Sequence, residues 1–190
     1  MHNAFAIDKD KIYLGNSKGS IYITDGNECN KITTSLTKLN NFYGYYDEVI
    51  DDYNFLFADT KNLYKMNLDE SYHQENFIEN EPIVGIWTNK GFPLFITGLG
   101  VFVNNNHSWK RVKNLPEYSF SKIEGNGLNN IVAVDWNGVI MHFNGLNWDI
   151  NSRYERTGLL MRAISFNQGI LGICGRKGNN AFVLIGTQMN

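Results

Sequence analysis

NGLNNIVAVDWNGVIMHFNGLNWDI, residues 126–150, contains two apolar segments that are each followed by a tight turn. The first segment, 131–135, leads to Asn137-Gly138, a pair that favours the type I′ turn of a two-residue β-hairpin. The second segment, 139–143, leads to Asn144-Gly145, another turn pair. This order predicts short antiparallel strands joined by hairpins.

The strand–turn–strand phrase recurs along the whole chain. Its five copies lie at 12–26, 55–69, 94–107, 131–145 and 170–186, with turn anchors at Gly19, Asn62, Gly100, Gly138 and Gly178. The anchors are 43, 38, 38 and 40 residues apart. A period of about 40 residues built from hairpins is typical of β-propeller blades, and neither a β-sandwich nor an up-and-down barrel requires such a period.

Each copy is preceded by a further apolar segment, and four of the five are followed by a more polar one. The preceding segments are 3–8, 45–50, 83–87, 120–125 and 160–166, and the following ones are 30–36, 72–78, 108–112 and 147–151. This pattern predicts an all-β, five-bladed β-propeller of meander blades in a single domain, 1–190. The blades are expected at roughly 3–38, 42–79, 82–114, 119–153 and 160–188. The last blade is predicted to be three-stranded; the alternative is an edge covered by a partner or a second copy.

The segment 126–150 resembles the repeats of the broad WD40/YVTN/BNR-like β-propeller superfamily, in which strand, Gly turn, strand, Asn-Gly turn and Trp follow in this order. The resemblance covers nearly the whole chain in degenerate form. The Asp-box of BNR repeats is absent, and so is the combined Gly-His…Trp-Asp pattern of WD40 repeats, because no Gly-His dipeptide occurs. The resemblance therefore implies the fold and brings no active site with it.

The composition is that of a folded protein, with 43% hydrophobic residues, 27 Asn and 18 Gly among 190 residues. Asn and Gly suit the turns that many short strands require, although a biased genome would also enrich Asn. The N-terminus, MHNAFAIDKD, lacks the features of a signal peptide, and no stretch is long and apolar enough to span a membrane. Cys29 and Cys174 are interpreted as isolated thiols, with one disulfide between blades as the alternative, and a cytoplasmic protein without a membrane partner is expected.

No constellation of catalytic or metal-binding residues stands out. His2, His73, His107 and His142 lie in different repeats, and no zinc-binding spacing or nucleophile motif occurs. A non-enzymatic protein with no cofactor and no metal is predicted. Trp109 and Trp148 occupy matching repeat positions, which favours packing between blades over ligand stacking.

Charge is concentrated in the second repeat. Residues 44–81 hold ten of the nineteen acidic residues and only two lysines: Asp47, Glu48, Asp51, Asp52, Asp59, Asp69, Glu70, Glu75, Glu79 and Glu81, against Lys61 and Lys65. Tyrosines lie beside these acids, and aromatic side chains next to carboxylates suit the recognition of a basic protein. The predicted partner site is Tyr43, Tyr45, Tyr46, Asp47, Glu48, Asp51, Asp52 and Tyr53. The alternative is a solvated acidic rim over core tyrosines.

The sequence thus predicts a cytoplasmic, protein-binding propeller. A sharper hypothesis is an immunity protein that neutralises a basic, nuclease-like toxin. The alternative is a small lectin-like, carbohydrate-binding propeller, and an enzyme is the least favoured function. Nucleic acid is not expected as a ligand, because the acidic patch repels phosphates and the net charge is −2.

Overall fold

A computed structural model describes residues 3–32, 34, 36–48, 50–75, 82–90, 94–105, 108–155, 157–167 and 169–187. Nineteen strands and no helix occur in these ranges, and the strands form five antiparallel sheets. The contacts divide the chain into two compact units, Met1–Ile83 and Val84–Asn190. No helix in the described ranges could span a membrane.

The first unit holds two four-stranded sheets. One has the order β1(Asn3–Asp8), β2(Lys11–Gly15), β3(Ile21–Thr24) and β4(Cys29–Ile32), and the other has the order β5(Asn41–Asp47), β6(Asp52–Ala58), β7(Leu63–Asn67) and β8(Tyr72–Glu75). Each strand pairs with the next along the chain, as in a meander.

The second unit holds three sheets. The first has β9(Gly85–Thr88), β10(Leu94–Thr97), β11(Val101–Asn105) and β12(Ser108–Arg111); the second has β13(Phe120–Gly127), β14(Asn130–Asp135), β15(Ile140–Phe143) and β16(Trp148–Asn151); the third has β17(Leu159–Asn167), β18(Ile170–Lys177) and β19(Asn180–Thr187). These sheets are meanders too.

Five blades were predicted, the last of them three-stranded, and the structure has four complete blades beside one sheet of three described strands. Four sheets have the four strands of a full blade, whereas β17–β19 has three strands in the described residues. The structure therefore has four complete blades and not five. The described part of the last repeat ends with its third strand, β19.

The turns are held by side chains of Asp and Asn that accept hydrogen bonds from backbone N–H groups two to four residues further on. The Asp135 carboxylate accepts from the N–H groups of Asn137 and Val139, at 2.8 and 2.7 Å. Asp59 and Asn16 hold the corresponding turns of the first unit in the same way. Turn chemistry of this kind accounts for a share of the abundant Asn and Asp.

The predicted type I′ turn at Asn137-Gly138 is wrong. Backbone pairing closes the loop between Asp135 and Val139, so three residues and not two separate the strands. Gly138 has φ +98°, whereas Asn137 is not among the residues with positive φ. A three-residue loop that ends in a Gly with positive φ is, like a type I′ turn, a common connection between the twisted strands of a hairpin.

The second repeat starts its first strand earlier than predicted. The expected segment 45–50 runs into a turn, and β5 instead covers Asn41–Asp47. Asp51 adopts φ 56°, which breaks the extended chain and returns it as β6. Asp tolerates this left-handed conformation better than most residues, so the run DEVIDD forms a turn and not a strand.

Aromatic rings form the core of the first unit. Phe55 is fully buried, and its ring centroid lies 4.1 Å from that of Tyr13, 5.6 Å from that of Phe42 and 5.8 Å from that of Phe5. Gly44 leaves room for Phe5, because a Cβ there would come within 2.4 Å of the Phe5 ring. The first sheet therefore packs on the second through rings on β1, β2 and β6.

Aliphatic side chains form the corresponding core of the second unit between β13–β16 and β17–β19. Val132, Val134, Met161 and Ile173 are buried there. β14 is buried along its whole length, as expected of a strand that is covered on both faces. β18 is buried mainly on one face, because Leu171 and Ile173 are covered whereas Ile170, Cys174 and Arg176 are exposed.

A half-buried carboxyl on β13 makes the stability of the second unit dependent on pH. Burial raises the pKa of the Glu124 carboxyl to about 7, against smaller opposing effects of the Gly125 N–H and Lys122. Ionisation is thus easier in the unfolded chain, where a Glu has a pKa of 4.5. The stability that comes from a protonated Glu124 is therefore fully present below the pKa of the unfolded chain, and it is lost as the pH rises through about 7.

We expect Glu124→Gln to remove this pH dependence. Between about pH 4.5 and about pH 8, the wild type should lose about 2–3 kcal/mol relative to the variant, because the variant has no carboxyl to ionise at that position. Urea unfolding of both proteins across the pH range measures the difference. Parallel pH profiles of the two proteins would show that Glu124 keeps an ordinary pKa.

Candidate functional site

The predicted acidic–tyrosine site lies on the β5–β6 hairpin, which divides its residues between two faces. Tyr46 pairs with Tyr53, whereas Tyr45 pairs with Asn54 and Tyr43 with Leu56. Directly paired residues share a face and successive residues alternate. Tyr46 and Tyr53 therefore lie on one face, and Tyr43 and Tyr45 on the other.

The first face carries a small exposed cluster. The rings of Tyr46 and Tyr53 meet edge to face at 5.2 Å, and the Tyr46 hydroxyl donates a hydrogen bond to the Asp51 carboxylate. This hydrogen bond raises the pKa of Tyr46 above its usual range. Glu48 lies in the same turn and is also exposed.

The second face is largely buried. Asp47 is 5% exposed and accepts a hydrogen bond from the Asn54 amide at 3.2 Å. Tyr45 is 8% exposed, and burial is the main cause that raises its pKa above the usual range. Asp52 is half-buried, and its carboxylate accepts from the Tyr53 N–H at 2.7 Å. The eight predicted residues are therefore divided between two faces, and Tyr46, Glu48 and Asp51 are their exposed members.

The described residues contain no group of His, Cys, Asp and Glu that could hold a metal ion. His142 lies 2.9 Å from the Asn130 side-chain oxygen, and His73 lies 3.2 Å from Glu75. Cys29 and Cys174 are free, exposed thiols. Four predicted features, His2, His107, Glu79 and Glu81, lie outside the described residues.

A large open groove lies instead between β9–β12 and β13–β16. The two sheets meet where Gly125 lies against the indole of Trp87, since a Cβ on Gly125 would come within 2.8 Å of that ring. Further out, the space between the sheets opens to a groove of about 1320 Å³. Its walls are the β11–β12 strand pair and the loop 112–119 on one side, and β15–β16 with the turns at 127–130 and 144–147 on the other.

Apolar side chains line much of the groove. Phe143 and Trp148 are directly paired across β15 and β16, and their rings lie 5.2 Å apart. Leu128 and Leu146 extend from the two neighbouring turns, and Leu146 is 86% exposed. An apolar side chain that is this exposed beside a half-buried Trp is typical of a surface that binds another molecule.

Cations line the opposite wall. Lys110 lies on the same face as Val103, its partner across β11 and β12, and Lys113 follows in the adjoining loop. Arg111 has a structural role, because it donates to the Leu99 carbonyl at 2.9 Å and also contacts Glu117 at 3.3 Å. The groove therefore has apolar side chains on one wall and exposed lysines on the other, and it suits a ligand with both apolar and acidic groups.

The sequence analysis did not identify this groove, because its two walls come from different repeats. Two local signals were available. Leu146 interrupts a turn between Asn-Gly and Asn-Trp, where an apolar residue has no local packing role. The second signal is the matched pair of tryptophans. Trp109 and Trp148 each pair with the fourth residue of the preceding strand of their sheet, so the predicted repeat match is confirmed.

Trp136, at a loop edge, lies beneath the Arg162 guanidinium, 4.4 Å from the ring centroid.

No protein-family model matches the sequence, and no curated protein matches it significantly. Solved structures do match. YCF48 bound to D1 peptide superposes with a TM-score of 0.74 at 13% identity, over 98% of this chain and 63% of YCF48. Virginiamycin B lyase from Staphylococcus aureus gives 0.77 at 9% identity, over 98% and 66%. The Pan2 WD40 domain of Neurospora crassa gives 0.62 at 14%, over 94% and 57%.

The chain thus spans less than two thirds of the length of each of these structures. At such low identity the match concerns the fold and not the activity. The matched structures are propellers of the WD40/YVTN-like kind, in agreement with the four-stranded meander blades. The chain has an all-β propeller fold.

Proposed function

We infer that this chain is a protein-binding propeller whose groove takes an extended partner segment with acidic and large apolar side chains. One observation carries the proposal: a single open groove is lined by exposed Leu128 and Leu146, by half-buried Trp148, and by the lysines Lys110 and Lys113. Removal of water from the apolar side chains of the groove supplies affinity, and the lysines orient the partner segment and increase its association rate.

The comparisons support the general part of this proposal. A propeller fold suits a protein-interaction role, and the YCF48 structure contains a bound peptide. Virginiamycin B lyase shares the fold, so the fold is compatible with catalysis as well as with binding. Binding without catalysis is therefore part of the proposal and rests on the character of the groove.

The charge of the second unit favours an acidic partner. Residues 82–190 hold ten Lys and Arg against five acidic residues. A basic partner at the β5–β6 hairpin stays a prediction, and the division of its acids between two faces reduces its support. Toxin neutralisation, sugar binding and a cytoplasmic location also stay predictions, with no contact in the described residues in their favour.

Selection from a random peptide library displayed on phage tests the proposal. We expect enriched peptides to combine Asp or Glu with Leu, Phe or Trp, and to bind with a Kd of about 1–100 µM in fluorescence anisotropy. Leu146→Asp should weaken binding about tenfold or more, because it places a carboxylate among acidic ligand groups and removes the exposed apolar anchor.

Charge reversal supplies the matched comparison. The double variant Lys110→Glu/Lys113→Glu should weaken binding about tenfold and reduce its salt dependence. Lys18→Glu/Lys38→Glu makes the same change of charge at two exposed positions of the first unit and should leave the Kd unchanged. Enrichment of basic peptides, or equal losses in both double variants, would contradict a specific groove.

A further inference from the structure

Four of the five arginines of the chain lie within one short stretch of the second unit. They are Arg153, Arg156, Arg162 and Arg176, and Lys177 follows directly. Glu155 is the one acidic residue in 153–177, and Arg156 lies outside the described residues. The rest of the chain uses lysine for all but one of its cations. Arginine, unlike lysine, binds an oxyanion through two parallel hydrogen bonds, so this stretch has the composition of an anion site.

The turn between β14 and β15 brings two of these arginines together with aromatic rings. Trp136 lies in this turn, and the Arg162 guanidinium lies 4.4 Å from the centroid of its ring. Gly138 lies in the same turn and against the Tyr154 backbone, because a Cβ on Gly138 would come within 2.2 Å of the Tyr154 carbonyl oxygen. Arg153 precedes Tyr154, and its guanidinium lies 5.7 Å from the centroid of the Tyr154 ring. Each arginine is thus held over a ring beside one turn.

A β-bulge in β17 gives Arg162 its position. Met161 pairs with Gly175 and Ala163 pairs with Cys174, so Arg162 is an extra residue that has no partner on β18. A bulge of this kind changes the direction of a side chain and is common next to functional sites. The contact of Arg162 with the β14–β15 turn therefore depends on a specific irregularity of the strand.

Lys177 lies at the same end of the last sheet. It pairs with Leu159 at the start of β17, on the face of the sheet that also carries buried Met161. The side chains of Arg153, Arg162 and Lys177 are exposed. The ion pairs formed among the described residues involve none of these three cations. Their N–H donors are therefore open to a ligand.

These exposed cations suit a compact ligand with several negative charges. Each guanidinium can donate two hydrogen bonds from its edge while its flat face stays on the ring. A carboxylate offers one negative charge, whereas linked phosphate groups offer several charges and many acceptor oxygens within a short length. A long nucleic acid is less suited, because the chain has a net charge of −2 and Arg162 covers the face of Trp136 on which a base would stack.

We propose that Trp136, Arg153, Arg162 and Lys177 form a site for a small ligand with two or three linked phosphate groups. The two arginines bind phosphate oxygens through paired N–H groups, Trp136 holds the Arg162 guanidinium in place, and Lys177 adds a positive charge. None of the four residues lines the groove. The site therefore does not depend on the proposed function.

Inorganic tripolyphosphate is the probe, and isothermal titration calorimetry of the full chain in about 0.1 M NaCl measures its binding. We expect one site per chain with a Kd of about 10–300 µM. Orthophosphate should bind about tenfold more weakly or less still, because one phosphate group cannot occupy both arginines. A single-stranded oligonucleotide of about ten nucleotides is titrated for comparison.

A charge-conserving variant separates recognition by arginine from attraction by charge alone. Arg153→Lys/Arg162→Lys keeps every positive charge but removes both planar groups, and it should weaken tripolyphosphate binding about tenfold. Lys18→Arg/Lys38→Arg makes the reverse exchange at two exposed positions of the first unit and should leave the Kd unchanged. Thermal melts check that both variants fold.

Three results would overturn the proposal: no binding of tripolyphosphate at about 5 mM, equal affinity for orthophosphate and tripolyphosphate, or undiminished binding to the folded Arg153→Lys/Arg162→Lys variant. The oligonucleotide adds a fourth criterion. If it binds more tightly than tripolyphosphate and loses affinity in the same variant, the arginines serve nucleic acid and not a small phosphate ligand.

Discussion

Replacing Gly138 with alanine is expected to lower the free energy of unfolding by about 3 kcal/mol. Gly138 has φ +98°, a conformation that alanine adopts only with strain. A Cβ there would also lie 2.2 Å from the carbonyl oxygen of Tyr154, which belongs to the backbone and cannot rotate away. The β14–β15 loop or the segment around Tyr154 must therefore move. For a protein of this size, the thermal midpoint should fall by about 6–12 °C.

Gly26 provides a matched control for the backbone strain. Its φ is +92°, nearly that of Gly138, but no atom lies within 4 Å of the position that a Cβ would occupy. Gly26→Ala should therefore cost only the strain of the left-handed backbone, about 1 kcal/mol. Denaturant unfolding of both variants separates the two effects. Equal losses in the two would mean that the carbonyl of Tyr154 yields without cost.

The hairpins could be predicted from the sequence because their signals are local. Apolar runs of five or six residues on either side of a Gly or Asn placed β14 and β15 correctly, and the turn side chain of Asp135 lies within the same segment. The polar fourth strands were also predicted, because each follows its turn directly. The start of β5 was not, since it depends on pairing of Asn41–Asp47 with β6 and on the left-handed conformation of Asp51.

The sites were harder to predict because they depend on which face of a strand is covered. The tyrosines and acids of the second repeat are close in sequence, but strand alternation divides them between two faces, and Tyr45 and Asp47 are buried whereas Tyr46, near the end of its strand, is exposed. The groove brings together Lys110 and Leu146, which lie on different sheets. Only the register of both sheets shows that these side chains share one opening, and register follows from packing across repeats rather than from local composition.

The same dependence on packing across sheets makes Phe55→Ala the other substitution with a large expected effect. Its ring is fully buried among Phe5, Tyr13 and Phe42, which come from three strands of two sheets. Removal of the ring loses apolar burial and leaves a cavity that the surrounding rigid rings fill poorly. We expect a loss of about 3–5 kcal/mol in the free energy of unfolding.

Graded substitutions test whether the loss at Phe55 comes from the cavity. Phe55→Leu restores part of the volume and should cost about 1–2 kcal/mol. Tyr46→Ala removes an aromatic ring from the same hairpin, but that ring is 40% exposed, so the loss should be about 1 kcal/mol or less. Urea unfolding followed by far-UV circular dichroism gives all three values. A loss for Phe55→Ala no larger than that for Tyr46→Ala would mean that the ring cluster does not hold the two sheets together, because burial would then contribute no more than a surface contact.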